Sequence, residues 1–356
     1  MYSLFSNVLV VNGALRSAIY DVQRETHYFI PKWLGDSLIN NKQFDISELG
    51  DFGDFFLASE LIHPTESKEI KLFPQLRMDY HTPCLIEVLV FDCSTYNSLK
   101  IGISNIVEAL NIQKILFYVR NQECIQSLQI ILNELQYSRL HHIEIIFFEQ
   151  FNFDIDILNN EHRVRKIYFY ESKEKTIKSD TEHNRLEIYL NWSFNNRTLW
   201  QQQPNFFNVN LTLFSESKYF NTYYNKRLYI GLNGEISNGE YSDPISNIEH
   251  IEDTNTLIEL VKSEEFCYLY SINKEIIDVC EHCEFRHMCI DSRIPIKREN
   301  QKWYHKQECN YNPYICKWEG EEGYLTLDEC GVISNENEFS IDHQRIANIN
   351  KDLWED

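Results

Sequence analysis

Four cysteines in the last third of the chain have the spacing of a metal-binding set: Cys280-Glu-His-Cys283, then Cys289, then Cys309, in the pattern C-x2-C-x5-C-x19-C. Soft metals take deprotonated thiolates, and a CxxC turn presents two sulfurs to one centre while later cysteines close the shell. The plainer alternative, buried free thiols or a disulfide knuckle, suits a secreted protein better. The start, Met1-Tyr-Ser-Leu-Phe-Ser6, lacks the basic region and long apolar run of a secretory signal, and no run approaches the roughly 18–20 apolar residues of a membrane span. The expected location is therefore cytoplasmic, with no membrane partner. The Asn-x-Ser/Thr triplets at Asn191, Asn196 and Asn210 carry no weight without secretion.

The elements that must position these thiols begin with the composition. A chain of 356 residues, 43% hydrophobic and 14% aromatic, is long enough for two or three cores. Its formal charge of −21 repels a phosphate backbone, so nucleic acid is excluded as an expected partner. The short basic stretches at 163–166 and 297–298 read as solvated faces. Neither a P-loop nor G-x-G-x-x-G occurs, which leaves autonomous ATP or dinucleotide use without a basis.

Residues 7–11, 17–20 and 27–30 read as a small β-meander turning at Asn12-Gly13, followed from Pro31 by a helix and by two shorter helices at about 45–50 and 52–62. This predicts a winged-helix-like module over residues 1–75. From Leu85 near-continuous apolar strands (85–91, 114–119, 142–148, 165–170, 185–190) alternate with helices to about 110 and over 122–137. Strands buried on both faces and joined by helical crossovers mean a parallel sheet, expected as an incomplete (β/α) barrel over 84–220 in an overall α/β protein. The polar stretch 172–183 is expected to be a linker in place of one crossover helix. Residues 226–237 form a hairpin with an Asn233-Gly234 turn and open the cysteine-bearing module, 226–356.

The hairpin, Ser271-Ile-Asn-Lys-Glu-Ile-Ile-Asp-Val-Cys280 running on to Asp291, and Cys309-Asn-Tyr-Asn-Pro-Tyr314 together resemble the SPASM domain of radical-SAM peptide maturases, most closely the grasp-with-spasm type. Leu4-Phe-Ser-Asn7, Val11-Asn-Gly13, Arg16-Ser17, Asp21-Val-Gln-Arg24 and Phe29-Ile-Pro31 resemble the start of the same subfamily. The resemblance implies that Cys280, Cys283, Cys289 and Cys309 ligate one auxiliary [4Fe–4S] cluster. It implies a role in modifying a ribosomally made peptide, with the precursor leader and an ATP-grasp ligase as partners. Where a second cluster would be held the chain has Asn238 and Gly239, and Ser292 or Arg293, so one cluster is expected.

A working radical-SAM site needs C-x3-C-x2-C after the first barrel strand, and here that place reads Phe91-Asp-Cys93-Ser-Thr-Tyr-Asn-Ser98. Cys84, Cys93 and Cys124 are too widely spaced, so radical-SAM catalysis is not expected and whether the chain is an enzyme stays open. A zinc-stapled scaffold without catalysis is the alternative, because four thiolates also satisfy tetrahedral Zn2+. Cys267, Cys316 and Cys330 read as small buried hydrophobes or spare ligands. His282 and His287 read as surface histidines that could replace a thiolate. Tyr311, Tyr314, Trp303 and Trp318 read as the core of a small module or the wall of a peptide groove. Leader capture is expected by strand addition at the edge of the strand near Ser17–Tyr20, with the helix carrying Trp33 and Leu34 beneath it.

Overall fold

A computed structural model describes residues 1–66, 74–149, 153–194 and 207–354. The chain forms two compact units, one from Met1–Tyr80, Gln201–Thr222 and Ile272–Asp356, the other from His81–Trp200 and Tyr223–Ser271. Asn196 lies outside the described residues.

The first unit opens with β1 (Tyr2–Leu4), β2 (Val8–Asn12), β3 (Arg16–Asp21) and β4 (Thr26–Pro31), then α1 (Lys32–Asn40), a 3₁₀ turn at Ile46–Phe52, α2 (Gly53–Ala58) and β5 (Ile62–Pro64), which pairs back onto β1. Asp45 and Glu48 form a capping box at the 3₁₀ turn, and the positive φ of Gly50 kinks its end. The helix expected to reach residue 62 stops at Ala58, and the chain after it becomes β5.

Strands β2, β3 and β4 form an antiparallel meander with β3 in the middle. Alternation along β3 sends Ile19 into a core with Ile30, Leu34, Phe44 and Phe56, while Ala18 and Tyr20 face the other way, toward Phe214 of α5 (Leu211–Tyr219) and toward Phe285. The expected peptide-accepting edge at Ser17–Tyr20 is thus corrected: both sides of β3 are already hydrogen-bonded, and the meander's outer strands are β2 and β4. Leu34 lies buried beneath the sheet, but Trp33 is exposed.

The second unit is mixed α/β around a nine-stranded sheet. Its strands are β6 (Val88–Asp92), β7 (Lys114–Val119), β8 (His142–Phe147), β9 (Val164–Phe169), β10 (Thr176–Asp180), β11 (Arg185–Tyr189), β12 (Arg227–Ile230), β13 (Glu235–Ser237) and β14 (Ser246–Asn247), in the order β10-β11-β9-β8-β7-β6-β12-β13-β14. The run β12-β6-β7-β8-β9-β11 is parallel throughout, and antiparallel strands finish both edges. Leu89, Phe91, Ile115, Phe117, Ile145 and Phe147 point to one face, where they pack with α3 (Ile103–Leu110), α4 (Gln122–Glu134) and α6 (Thr254–Val261). Val90, Tyr118, Ile146, Tyr170 and Tyr229 cluster on the opposite face. Asn121 and Asp253 cap α4 and α6 by accepting from Cys124 and Thr256 backbone N–H groups.

Two expectations are revised here. The stretch expected as a linker contains β10, which pairs with β11 over five registers; it is an exposed edge strand, whose polar sequence carries no apolar alternation to read. The hairpin at 226–237 supplies β12 to the large sheet, in parallel with β6, rather than standing apart with the cysteines. Its turn needs Gly234, at φ +76, where a Cβ would also meet Ile248 at 2.7 Å. Among the described residues no helix is long and apolar enough to cross a membrane.

Candidate metal centre

Cys280, Cys283, Cys289 and Cys309 all line one cavity of about 50 Å³, together with Lys274, Asp291, Arg293 and His305. Cys280 starts a 3₁₀ turn, Cys280–His282, and is aimed by the residue before it. Val279 sits at φ 66, ψ −49, and the Cys280 N–H donates to the Asp278 carbonyl at 2.7 Å, which closes a γ-turn of positive φ. Such a turn is strained, most of all for a β-branched residue, and persists only when its surroundings fix it. They do so here: the Asp278 N–H donates to the Trp303 carbonyl at 2.9 Å, and the Asp278 carboxylate pairs with buried Arg298. The Cys283 N–H returns to the Cys280 carbonyl at 3.0 Å, and the Cys289 carbonyl accepts from the Thr222 hydroxyl at 2.8 Å.

Burial pushes the Cys280 thiol up to about 11, against the pull of Arg293 and Lys274, and it pushes Cys283, Cys289 and Cys309 up as well. As free thiols they hold their protons at neutral pH, so a metal must displace those protons to bind. Backbone N–H groups already aim at two of the sulfurs, that of Phe285 at Cys283 and those of Asn310 and Tyr311 at Cys309. Donors of this kind stabilise thiolate charge and tune a cluster's potential. Buried thiols around a shared cavity, backed by cations and N–H donors, fit a thiolate-bound metal group.

The other cysteines lie elsewhere. Cys93 and Cys124 belong to the apolar core on the helical face of the large sheet, where Cys124 lies 3.2 Å from the Ser94 hydroxyl. Cys84 is buried, and its carbonyl accepts from Lys226 at 2.7 Å. Cys267 packs at the edge of the same core as Cys93. Cys316, at φ 53, packs with Phe285 and Tyr311, and Cys330 accepts from Asn312 at 3.3 Å.

His287 is corrected from a surface residue to a buried one, 2% exposed, with Nδ1 2.9 Å from the Ser217 hydroxyl and Nε2 3.3 Å from Glu275. His282 is half-exposed and stacks on Phe339. His305 carries one local signal in the sequence, its H-x3-C spacing before Cys309. It ends β16 (Trp303–His305), which pairs with β15 (Pro295–Lys297) and so returns its side chain to the cavity.

The cysteine segment is locked to the N-terminal meander within the same unit. Glu284, fully buried, accepts from Arg16 Nε at 2.6 Å and from the Tyr311 hydroxyl at 2.5 Å. The Ala14 N–H donates to the His282 carbonyl at 2.7 Å, and Arg286 donates to the Asn12 carbonyl at 2.6 Å. Gly13 sits in this contact; a Cβ there would meet the Arg16 carbonyl at 2.8 Å and Glu284 Oε2 at 2.9 Å. Tyr311 and Trp318 pack around Phe285, whereas Tyr314 joins Leu327 and Val332 in a separate small cluster.

No family model matches the chain, and no curated protein does. Among solved structures it is similar to Streptococcus suis SuiB bound to S-adenosylmethionine, with 8% identity over 82% of this chain and 95% of that one and a TM-score of 0.35. SuiB alone matches with 9% identity over 81% and 94% of the two chains at a TM-score of 0.35, and SuiB bound to its precursor peptide SuiA with 8% identity over 82% and 95% at 0.34. Scores of this size carry neither fold nor function across.

Proposed function

We propose that the chain is a metal-centre protein of ribosomal-peptide maturation, which binds a precursor leader and presents it to a partner ligase of the ATP-grasp type. The observation that carries this reading is the convergence of Cys280, Cys283, Cys289 and Cys309 on one buried cavity, at the spacing that resembles a SPASM cluster site. A single auxiliary [4Fe–4S] cluster is the group we place there. In a tetrahedral zinc site neighbouring sulfurs lie about 3.8 Å apart, given Zn–S bonds of about 2.3 Å. Among the described residues the trio of candidate donors within 4.8 Å of one another is Cys280, Asp291 and His305, so no three of the four sulfurs are that close. A cluster puts irons and sulfides between its cysteines and needs the wider spacing. The cavity, about 50 Å³, would take about three to five waters, more than one bare ion requires.

A second reading is a zinc-stapled scaffold without catalysis, because the Cys280 sulfur and a His305 nitrogen lie within 4.8 Å of one another and both are zinc ligands. Metal analysis separates the two. Anaerobic purification should yield a brown protein with iron and acid-labile sulfide in a ratio near unity, whereas one zinc per colourless chain would replace the cluster reading with the scaffold.

For the leader, the edge strand β2 offers the better supported place. Val8, Leu9 and Val10 line a cavity of about 640 Å³ with Leu38, Ile39 and Pro74 and with polar Asn41, Lys42 and Thr65, a trough of mixed character beside a strand edge that suits an extended peptide.

A further inference from the structure

His305 is one of three histidines on or near the cysteine segment, and its surroundings differ from those of the other two. Both ring nitrogens of His287 lie within 3.3 Å of a polar side chain, and His282 is half-exposed against an aromatic ring. The His305 side chain is buried, with Nδ1 3.2 Å from the Ile294 carbonyl. A carbonyl only accepts, so Nδ1 carries the proton. In the neutral ring with its proton on Nδ1, Nε2 presents a lone pair. Metal-bound histidines have this arrangement, one nitrogen held by a backbone carbonyl and the other left for the metal.

What Nε2 faces is equally informative. Its ring, Cys280 and Asp291 bring donor atoms within 4.8 Å of one another, and Nε2 itself is 3.8 Å from Asp291 Oδ2, too far for a hydrogen bond. The Asp291 carboxylate is occupied by Arg293, which reaches Oδ1 and Oδ2 through Nε at 3.1 and 3.0 Å and Oδ2 through Nη2 at 2.6 Å. That leaves the Cys280 sulfur and His305 Nε2 as the two donors of the trio open to a metal, both on the wall of the cavity the other three cysteines share.

We propose that His305 is a direct ligand of the metal centre, binding through Nε2 on the side of the cavity where Cys280 lies. This rests on the metal-centre reading above and adds to it a mixed thiolate–imidazole ligand set. Imidazole is a harder donor than thiolate and neutral, so it adds no negative charge to that of the thiolates.

The full-length protein, expressed with 15N-labelled histidine and reconstituted anaerobically with iron and sulfide, tests this by pulsed EPR of the dithionite-reduced state. A histidine nitrogen coupling is expected in the wild type and its loss in His305→Ala, while His282→Ala keeps it. The same three proteins loaded with Co2+ cover a mononuclear centre, where removing an imidazole should shift the visible d–d bands. A centre that forms in the wild type with no histidine coupling, or Co2+ bands unmoved in His305→Ala, overturns the ligand assignment and leaves the metal-centre reading standing. Binding of neither iron nor Co2+ by the wild type overturns both. His305→Gln guards against misfolding: a folded variant by circular dichroism that retains the coupling would also remove His305 from the ligand set.

Discussion

The hydroxyl of Tyr20, in the central strand of the N-terminal meander, donates to the backbone carbonyl of Glu284 at 2.6 Å, across 264 positions of sequence. Glu284 directly follows Cys283, so the sheet and the cysteine segment share one hydrogen-bonded seam with the Ala14–His282 and Arg286–Asn12 contacts. With a metal held at the proposed centre, its binding free energy would also order the meander. Tyr20→Phe keeps the ring but leaves a buried carbonyl without its donor, at a cost of about 1–3 kcal/mol. Urea unfolding should show that loss together with weaker metal retention against a chelator, and wild-type behaviour in both would uncouple the two elements.

Cys283→Ala, Cys289→Ala and Cys309→Ala are each expected to lose the metal and loosen the segment around residues 277–318. Cys316→Ala and Cys330→Ala, outside the cavity lining, should keep full metal content. Elemental analysis decides between these outcomes, and a metal-replete Cys309→Ala protein would remove Cys309 from the ligand set.

Reductive cleavage of S-adenosylmethionine requires a [4Fe–4S] cluster held by three thiolates, with the fourth iron left open. Cys93 and Cys124 are buried in an apolar core, and burial raises the Cys93 thiol further, as do Asp92 and Cys124. The reconstituted protein with dithionite is therefore expected to release no 5′-deoxyadenosine. Chromatographic detection of reductant-dependent product, lost in Cys93→Ala, would reverse that expectation.

In the large sheet, burial alone would raise Glu144, but the hydrogen bond from His142 and the charge of Lys114, 2.7 Å away, outweigh it and hold the carboxyl at about 2. A lowered folded value means a contribution fully present above the unfolded value, near 4.5, and lost as pH falls from there through about 2. The shift corresponds to about 3 kcal/mol. Equilibrium unfolding across this window should lose stability in the wild type, with a flatter acid limb in Glu144→Gln; parallel limbs would show that Glu144 is not the group responsible.

Ile39 lies on α1, 51% exposed, in the lining of the cavity beside β2. Ile39→Asp should weaken binding of a labelled precursor leader at least tenfold without lowering thermal stability. Equal affinity in fluorescence anisotropy would move peptide recognition away from β2. Point substitution is the suitable test, because residues 1–80 pack into one unit with 272–356 and truncation would disturb both.

Elements with local signals could be read from the residues alone. Apolar runs such as Val88–Asp92 and Lys114–Val119 became parallel strands, Asn233-Gly234 became a hairpin turn, and Cys280 and Cys283, at C-x2-C spacing, sit at the two ends of one 3₁₀ turn. Short spacing constrains geometry through the chain itself, so such motifs can be read without a fold. The rest came from long-range packing. Strand β3 is central rather than an edge, β12 pairs with β6 some 140 residues earlier, and β10 forms from a polar stretch because an edge strand needs no apolar face. His305 reaches the cavity because β16 pairs with β15, and Arg16 and Tyr20 meet Glu284 because the meander packs on the cysteine segment. Contacts of this kind depend on which surfaces bury one another, and long-range burial leaves no periodicity in the residues that make it.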